Sequence, residues 1–295
     1  MSAALPRRLF ALVAVVLTAA FIATTTAARC YPPNTRVVVF IQGLYTSYDA
    51  TGTQPNGVEP HRFDTIKHEL LARGYPAERL LDYSYAGGSV LPGGGWSPQP
   101  YSCELTDRPA EQALAVLEEM LRSYRAVHPR AHFTLVGHSL GGYLAFLEGA
   151  RDAARREGDR LEVDAVVALD APLEGVSADK KMVIDIIPCT KTYAAGTELV
   201  QEKLDPAIAS KRAADAGAMA AAGIRVATLG NSFDCLYNTD HCTGAGFADD
   251  SGTQLVDGAA FSRMYQIDIT ALLSHEVIVA DPTVARDVAD FIGAP

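Results

Sequence analysis

Short apolar runs alternate along the chain with longer segments in which apolar residues recur every three or four positions. The runs predict strands, and most are apolar at nearly every position, as in strands that are covered on both faces. The candidate strands are Arg36–Gln42, Leu80–Tyr85, Ala131–Val136, Val163–Leu169, Arg225–Gly230 and Gln266–Leu272. Because helical segments fall between them, the pattern predicts an α/β fold: a mostly parallel sheet of about six strands with helices on both faces.

Three of the predicted helices have clear apolar faces and recognisable ends. They include Pro60–Ala72 and Pro109–Arg125, the second with a proline suited to the first turn. The last helix opens at Asp281 and Pro282, a capping residue followed by a first-turn proline. Its predicted buried stripe is Val284, Val288 and either Phe291 or Ile292.

Two segments interrupt this regular alternation. Ala86–Thr106 is rich in Gly, Pro and Ser and contains the single tryptophan, Trp96. Residues 173–223 form a long connection between two predicted strands, with an alanine-rich second half. In open parallel sheets such insertions overhang the carboxyl ends of the strands, so we expect walls or a lid for a binding site. The alternative is that both segments simply cover surface.

Residues 1–28 have the features of an export signal. Arg7 and Arg8 precede an apolar run, Leu9–Ala23, and small residues follow before a cleavage point near Arg29. The alternative is an uncleaved membrane anchor, since Leu9–Ala28 is just long enough to span a bilayer. We therefore expect a secreted protein, or one anchored in a membrane and facing outward, with a single domain over residues 29–295.

The charge of the chain excludes one class of partner. Its formal net charge is −10, and loss of Arg7 and Arg8 with the signal would make it −12. A chain this acidic, without a basic stripe, is repelled by nucleic acid. Its hydrophobic content of 48% and charged content of 20% are typical of a globular protein.

Five cysteines follow the predicted signal, and in an oxidising compartment they would form disulfides. Cys235 and Cys242 enclose six residues in a polar segment, so we expect this pair first. Cys103 and Cys189 lie in long connections and are the next candidate pair, which leaves Cys30 over.

The most informative motif is Gly137-His138-Ser139-Leu140-Gly141, between the apolar run Phe133–Val136 and a helix-like segment. This is G-x-S-x-G at a strand-to-helix turn, where a sharp and strained backbone exposes a serine hydroxyl. Glycine is needed at both flanking positions because side chains there would collide with the backbone. Ser139 is the candidate nucleophile, and the alternative is an ordinary strand–helix turn with an incidental serine.

A serine nucleophile needs a base, and the base needs an acid that fixes its tautomer. His275 follows the last predicted strand and is the candidate base. Asp234, after Arg225–Gly230, is the favoured acid, and Asp170, after Val163–Leu169, is the alternative. Each follows a strand and would lie at the same edge of the sheet.

Two backbone N–H groups should bind the negative charge that develops on a substrate oxygen. Candidates are Leu140, directly after the serine, and Leu44, in the loop after the first strand. The candidate substrate contacts around them are Gln42, Gly43, Tyr45 and His138. Trp96 with Tyr101 could line an acyl pocket, and anchoring of its own loop is an equally good interpretation of Trp96.

The chain resembles the α/β-hydrolase superfamily, specifically its lipase and esterase branch, over about residues 34–293. The resemblance rests on Gly137–Gly141, Gln42-Gly43-Leu44, Asp234 and His275, in the order Ser, Asp, His. One departure is Gln42, where those enzymes usually have histidine; the backbone donates the hydrogen bond, so the hole should survive.

This resemblance implies hydrolysis of carboxylic esters through an acyl-enzyme intermediate, without a cofactor. It implies a small-molecule or lipid ester as substrate, with transient contact to a lipid surface left open. Acyl-chain length and oligomeric state are not determined by the sequence. Two alternatives remain: an acyltransferase on the same scaffold, and a non-catalytic binding protein that kept the fold.

A metal site is the remaining chemical alternative. Four acidic residues and one histidine lie close together in the sequence after the fifth predicted strand: Asp234, Asp240, His241, Asp249 and Asp250. Their spacing matches no known calcium-binding loop, so a solvated loop is the better interpretation and we expect no metal.

Overall fold

Six strands, each parallel to its neighbours, form the central sheet of this computed structural model. The structure describes residues 35–48, 63–178, 194–231, 255–267 and 274–293, which all belong to the unit Pro32–Pro295. The sheet strands are β1 (Arg36–Ile41), β2 (Leu80–Asp82), β5 (His132–His138), β6 (Val163–Leu169), β7 (Arg225–Asn231) and β8 (Phe261–Tyr265). Their order is β2-β1-β5-β6-β7-β8. Between β2 and β5 the chain forms an antiparallel hairpin of β3 (Gly88–Val90) and β4 (Trp96–Pro98), which the sequence did not predict.

Helices cover both faces of this sheet, which confirms the predicted fold class. The helices of the described residues are α1 (Asp64–Ala72), α2 (Ala110–Val127), α3 (Leu140–Ala154), α4 (Ala194–Lys203), α5 (Ile208–Ala221), α6 (Ser274–Val277) and α7 (Pro282–Ile292). Alternate residues of β1 enter different cores: Val39 packs in the layer with α2, α3 and α5, and Phe40 packs in the layer with α1 and α7. A strand buried on both faces must be apolar throughout, and this is the pattern that the sequence carries.

The middle of the sheet brings together the loops that the sequence singled out. Ile41 is paired with Gly137, and His138 with Leu169, so β1, β5 and β6 end side by side. Residues that directly follow these strands therefore lie at one edge, where parallel α/β sheets bind their ligands.

The last strand of the described sheet, β8, was not predicted. The sequence favoured Gln266–Leu272, whereas β8 is Phe261–Tyr265, and residues 268–272 lie outside the described residues. Ser262 and Arg263 in β8 are exposed because β8 is an edge strand of the sheet. A search for continuous apolar runs therefore passes over it.

The predicted N-terminus and apolar face of α7 are confirmed. The carboxylate of Asp281 accepts hydrogen bonds from the backbone N–H groups of Thr283 at 2.7 Å and Val284 at 3.0 Å. Such a cap satisfies donors that have no partner inside the helix. Val284, Val288 and Ile292 are all buried.

The predicted lid needs a correction in its second half. Helix α5 lies in this half, and its residues Ala216 and Met219 are buried in the core. A Cβ on Gly149 of α3 would lie 2.8 Å from Met219 Sδ, so the two helices are in close contact. Helix α5 is thus a crossover helix of the sheet. Earlier in the segment, Val176 N–H donates to Leu199 of α4 at 3.1 Å, and residues 179–193 lie outside the described residues.

Within the described ranges, we find no helix with the length and apolar character needed to cross a membrane. The predicted export signal, residues 1–28, lies outside the described residues.

Candidate active site

Ser139 occupies a strained turn between β5 and α3. Its φ is 56° and its ψ is −128°, a combination that residues with side chains rarely adopt. Ser139 N–H donates to Leu169 O on β6 at 2.9 Å, which fixes the turn against the next strand. The serine is partly exposed, whereas His138 and Leu140 on either side are buried. The local geometry is that of a nucleophile elbow.

The elbow requires glycine on both sides of the serine. A Cβ on Gly137 would lie 2.1 Å from the carbonyl oxygen of Gly141. A Cβ on Gly141 would lie 2.0 Å from the carbonyl oxygen of Ile41. Neither clash can be relieved by turning a side chain, because the opposing atoms belong to the backbone.

The imidazole of His275 is hydrogen-bonded to Asp170. The Nδ1 atom of His275, on α6, lies 3.0 Å from Oδ2 of Asp170, which directly follows β6, and both residues are buried. A carboxylate can only accept, so Nδ1 carries the hydrogen and Nε2 is left as a proton acceptor. The other carboxylate oxygen, Oδ1, accepts from Asn231 N–H at 3.1 Å.

The geometry therefore favours the alternative acid over the first choice. Asp234 lies outside the described residues, so its predicted role stays untested there. The Nδ1 atom of His275 has one hydrogen to donate, and Asp170 is placed to accept it. The sequence placed both aspartates after strands, and only the fold determines which carboxylate meets the imidazole.

His138 is not placed as a substrate contact, contrary to the sequence prediction. Its side chain is fully buried. Its Nε2 atom lies 2.8 Å from the backbone oxygen of His275, and the two imidazole rings lie 4.6 Å apart between centroids. The motif itself does not indicate this burial, which comes from contacts with residues far away in the sequence.

The loop after β1 runs directly beside the candidate nucleophile. A Cβ on Gly43 would lie 2.8 Å from Cβ and 3.3 Å from Oγ of Ser139, so only glycine allows this approach. Tyr45 N–H donates to Thr106 Oγ1 at 3.0 Å, while Leu44 N–H has no acceptor among the described residues. Leu140 begins α3, where the N–H groups of the first turn lack acceptors inside the helix. These two amides are the predicted oxyanion donors.

Side-chain hydroxyl groups hold this loop, and the sequence reasoning missed them. Tyr85 OH donates to Gln42 O at 2.7 Å, and Thr46 Oγ1 donates to Gly43 O at 2.9 Å. Tyr101 OH lies 2.9 Å from Thr46 Oγ1. Burial raises the pKa of Tyr85 well above its ordinary value, so this residue stays a hydrogen-bond donor. Asn231 beside Asp170 was missed as well; a polar residue at the end of an apolar strand was the available signal.

Trp96 lies away from the serine. Its Nε1 donates to Asp82 O at 3.1 Å, and it lines a cavity of about 400 Å³ with Val116 and Met120 of α2. Ser139 and His275 are not among the residues that line this cavity. The structure thus favours the interpretation of Trp96 as a loop anchor.

Of the other candidate substrate contacts, Gln42 has its Oε1 buried without a hydrogen-bond partner among the described residues, and Tyr45 has a φ of 65°.

Within the described residues, no three His, Cys, Asp or Glu side chains are grouped so that they could hold a metal ion. The acidic cluster around Asp234 lies outside them. Among the cysteines, Cys103 alone belongs to the described residues, so both predicted disulfides stay predictions.

The sheet and the site together define a class of fold. The sheet is parallel and has helices on both faces, and a strained serine lies between a central strand and a helix. An aspartate and a histidine follow later in the chain and contact each other. This is the arrangement of the α/β-hydrolase fold.

Comparisons with known proteins give similar folds and no relative in sequence. No family model matches the chain, and no curated protein sequence matches it. One similar solved structure is that of a lipase-esterase related protein from Clostridium acetobutylicum, which is 10% identical to this chain and has a TM-score of 0.47. The match covers 87% of this chain and 94% of that protein. A carboxylesterase from the thaumarchaeon Nitrososphaera has 11% identity, coverage of 88% and 90%, and a TM-score of 0.48. A metagenome-derived lipolytic enzyme has 10% identity, coverage of 88% and 93%, and a TM-score of 0.48. We draw no functional conclusion from similarities this weak.

Proposed function

We propose that this protein is a serine hydrolase that cleaves carboxylic esters, with Ser139 as nucleophile, His275 as base and Asp170 as acid. The observation that carries the proposal is the buried contact between His275 Nδ1 and Asp170 Oδ2. It is supported by the strained elbow that holds Ser139. A structural serine would need neither the strain nor the flanking glycines.

In the first half of the reaction, Ser139 Oγ attacks the ester carbonyl carbon and its proton passes to His275 Nε2. Asp170 stabilises the imidazolium that forms, and the N–H groups of Leu44 and Leu140 bind the oxyanion. His275 then gives the proton to the alkoxide oxygen, the C–O bond of the ester breaks, and the alcohol leaves. An acyl group remains on Ser139.

In the second half, water replaces the alcohol. His275 Nε2 takes a proton from water as the water oxygen attacks the acyl carbon. His275 then gives this proton to Ser139 Oγ as the bond between Oγ and the acyl carbon breaks. The carboxylic acid leaves and the serine is restored. This sequence needs no cofactor.

The substrate class follows from this chemistry only as far as a small-molecule or lipid ester. Export also belongs to the proposal: it is supported by the basic and apolar segments of residues 1–28 and by the five cysteines that follow.

Hydrolysis of p-nitrophenyl esters of increasing acyl length tests the proposal. We expect the wild-type protein to release p-nitrophenol from at least one ester and Ser139→Ala to lose about 10⁴-fold or more in kcat. Added alcohol should not divert the acyl group from water, and a dominant ester product would identify a transferase instead. Folded wild-type protein without activity on any ester would contradict the proposal.

A further inference from the structure

His138 is a buried polar residue at a decisive place in the chain. It ends β5, directly before Ser139, and its side chain is fully buried. Burial of an imidazole ring costs free energy unless its polar atoms find partners. The ring contacts α6, the short helix that carries His275.

The contact determines where the hydrogen of His138 lies. Its Nε2 atom lies 2.8 Å from the backbone oxygen of His275, and a carbonyl oxygen can only accept. The Nε2 atom of His138 therefore carries a hydrogen and donates it. The imidazole ring also packs against that of His275, with 4.6 Å between centroids and an angle of 41° between planes.

Helix α6 depends on such contacts for its position. It spans only Ser274–Val277, and a single helical turn has little stability of its own. Asp170 holds the side chain of His275, and His138 holds its backbone. Since His138 and Ser139 are consecutive, the strand that presents the serine also holds the residue that carries the imidazole.

We propose that His138 is a positioning residue: its Nε2–H bond to the His275 backbone fixes the base relative to the Ser139 hydroxyl. The inference rests on the proposed function, because positioning has a kinetic consequence only if Ser139 and His275 react together. Displacement of a catalytic group by about 1 Å can cost on the order of 100-fold in rate. We therefore expect loss of the bond to lower kcat by roughly 10- to 100-fold with little change in KM.

A pair of amide substitutions separates the hydrogen bond from simple packing. In His138→Gln the side-chain amide can reach the former position of Nε2, whereas in His138→Asn it is one methylene shorter and ends near the former Nδ1. We expect His138→Asn to show the full loss in kcat and His138→Gln to retain at least about threefold more of it, a difference typical of one hydrogen bond. The matched control is His132→Gln on the same strand, whose ring lies against Asp164, with unchanged kcat expected.

Three outcomes would overturn the inference. His138→Asn with wild-type kcat would show that the contact is dispensable, and equal losses in both amide variants would show that the donor at Nε2 does not matter. A rise in KM with kcat unchanged would indicate a role in substrate binding. Far-ultraviolet circular dichroism establishes that each variant is folded.

A measurement on the wild-type protein decides the matter if the variants do not fold. Nitrogen-15 NMR of the imidazole rings, assigned with His132→Gln and other histidine variants, reports which ring nitrogen of His138 carries hydrogen. The inference requires hydrogen on Nε2, and a ring with hydrogen on Nδ1 alone would overturn it. If wild-type protein shows hydrogen on Nε2 but neither hydrolyses esters nor reacts with a fluorophosphonate, the proposed function has failed and the contact is purely structural.

Discussion

Replacement of Asp170 by asparagine exchanges one carboxylate oxygen for an NH₂ group and removes the charge that faces His275. Oδ2 accepts from His275 Nδ1 at 3.0 Å, and Oδ1 accepts from Asn231 N–H at 3.1 Å. In Asp170→Asn the amide oxygen can serve only one of these donors. If it stays with Asn231 N–H, the amide NH₂ faces Nδ1, which must then accept. The hydrogen of His275 moves to Nε2, and the base can no longer take a proton from Ser139.

The size of the loss follows from this change of tautomer. The same substitution in the serine protease triad lowers kcat by about 10⁴-fold. That factor corresponds to about 5 kcal/mol of transition-state stabilisation, at about 1.4 kcal/mol for each factor of ten. We expect a loss of this order in kcat for Asp170→Asn, with KM changed little and the protein still folded.

The assay compares kcat on the best p-nitrophenyl ester for Asp170→Asn and Asp234→Asn under the same conditions. We expect a loss below about tenfold for Asp234→Asn, because Asp170 is placed to accept the hydrogen of His275 Nδ1. The reverse ranking, with Asp234→Asn nearly inactive and Asp170→Asn active, would refute the assignment of the acid.

Three further predictions concern the loop and the core. Gly43→Ala should lower kcat by about 100-fold, because its Cβ would lie 2.8 Å from Cβ of Ser139. Tyr85→Phe removes the hydroxyl that holds Gln42 O and should lower kcat by about fivefold, the equivalent of one hydrogen bond. Burial raises the pKa of Glu148 to about 7 from its ordinary 4.5, so its contribution to stability is present below pH 4.5 and is lost as the pH rises through 7. Across this range the free energy of unfolding, measured with urea, should fall for wild type relative to Glu148→Gln by on the order of 3 kcal/mol.

Each of these predictions has a matched control. Gly158→Ala places a methyl group in open space and should leave kcat unchanged. Tyr83→Phe loses a buried hydrogen bond to Ala113 O of α2, not to the loop after β1, and should reduce stability without reducing kcat. Glu157→Gln replaces an exposed acid and should reproduce the wild-type pH profile. Equal effects in a variant and its control would contradict the corresponding prediction.

The sequence predicted those parts of the fold in which burial alone determines the pattern. Val163–Leu169 was located with its correct ends because a strand covered on both faces is apolar throughout. β8 was missed because its exposed Ser262 and Arg263 break such a run. The elbow was recognisable because its motif is a short, contiguous run of residues. The clash at Gly137 is with nearby Gly141, whereas the clash at Gly141 is with Ile41, far away in the sequence.

The partners of the serine are a different kind of problem. Asp170 and Asp234 both follow predicted strands, and the choice between them depends on where α6 places His275. The burial of His138 likewise depends on α6, which lies far away in the sequence. Contacts of this kind arise from tertiary packing and leave no local periodicity in the sequence.

Reaction with a fluorophosphonate, followed by peptide mass mapping, tests most directly whether Ser139 is an activated nucleophile. We expect one phosphonyl group on the peptide that contains Ser139, and a labelling rate that falls by about 10³-fold or more in His275→Ala. Wild-type protein that stays unlabelled while folded, or that carries the label at another residue, would contradict it.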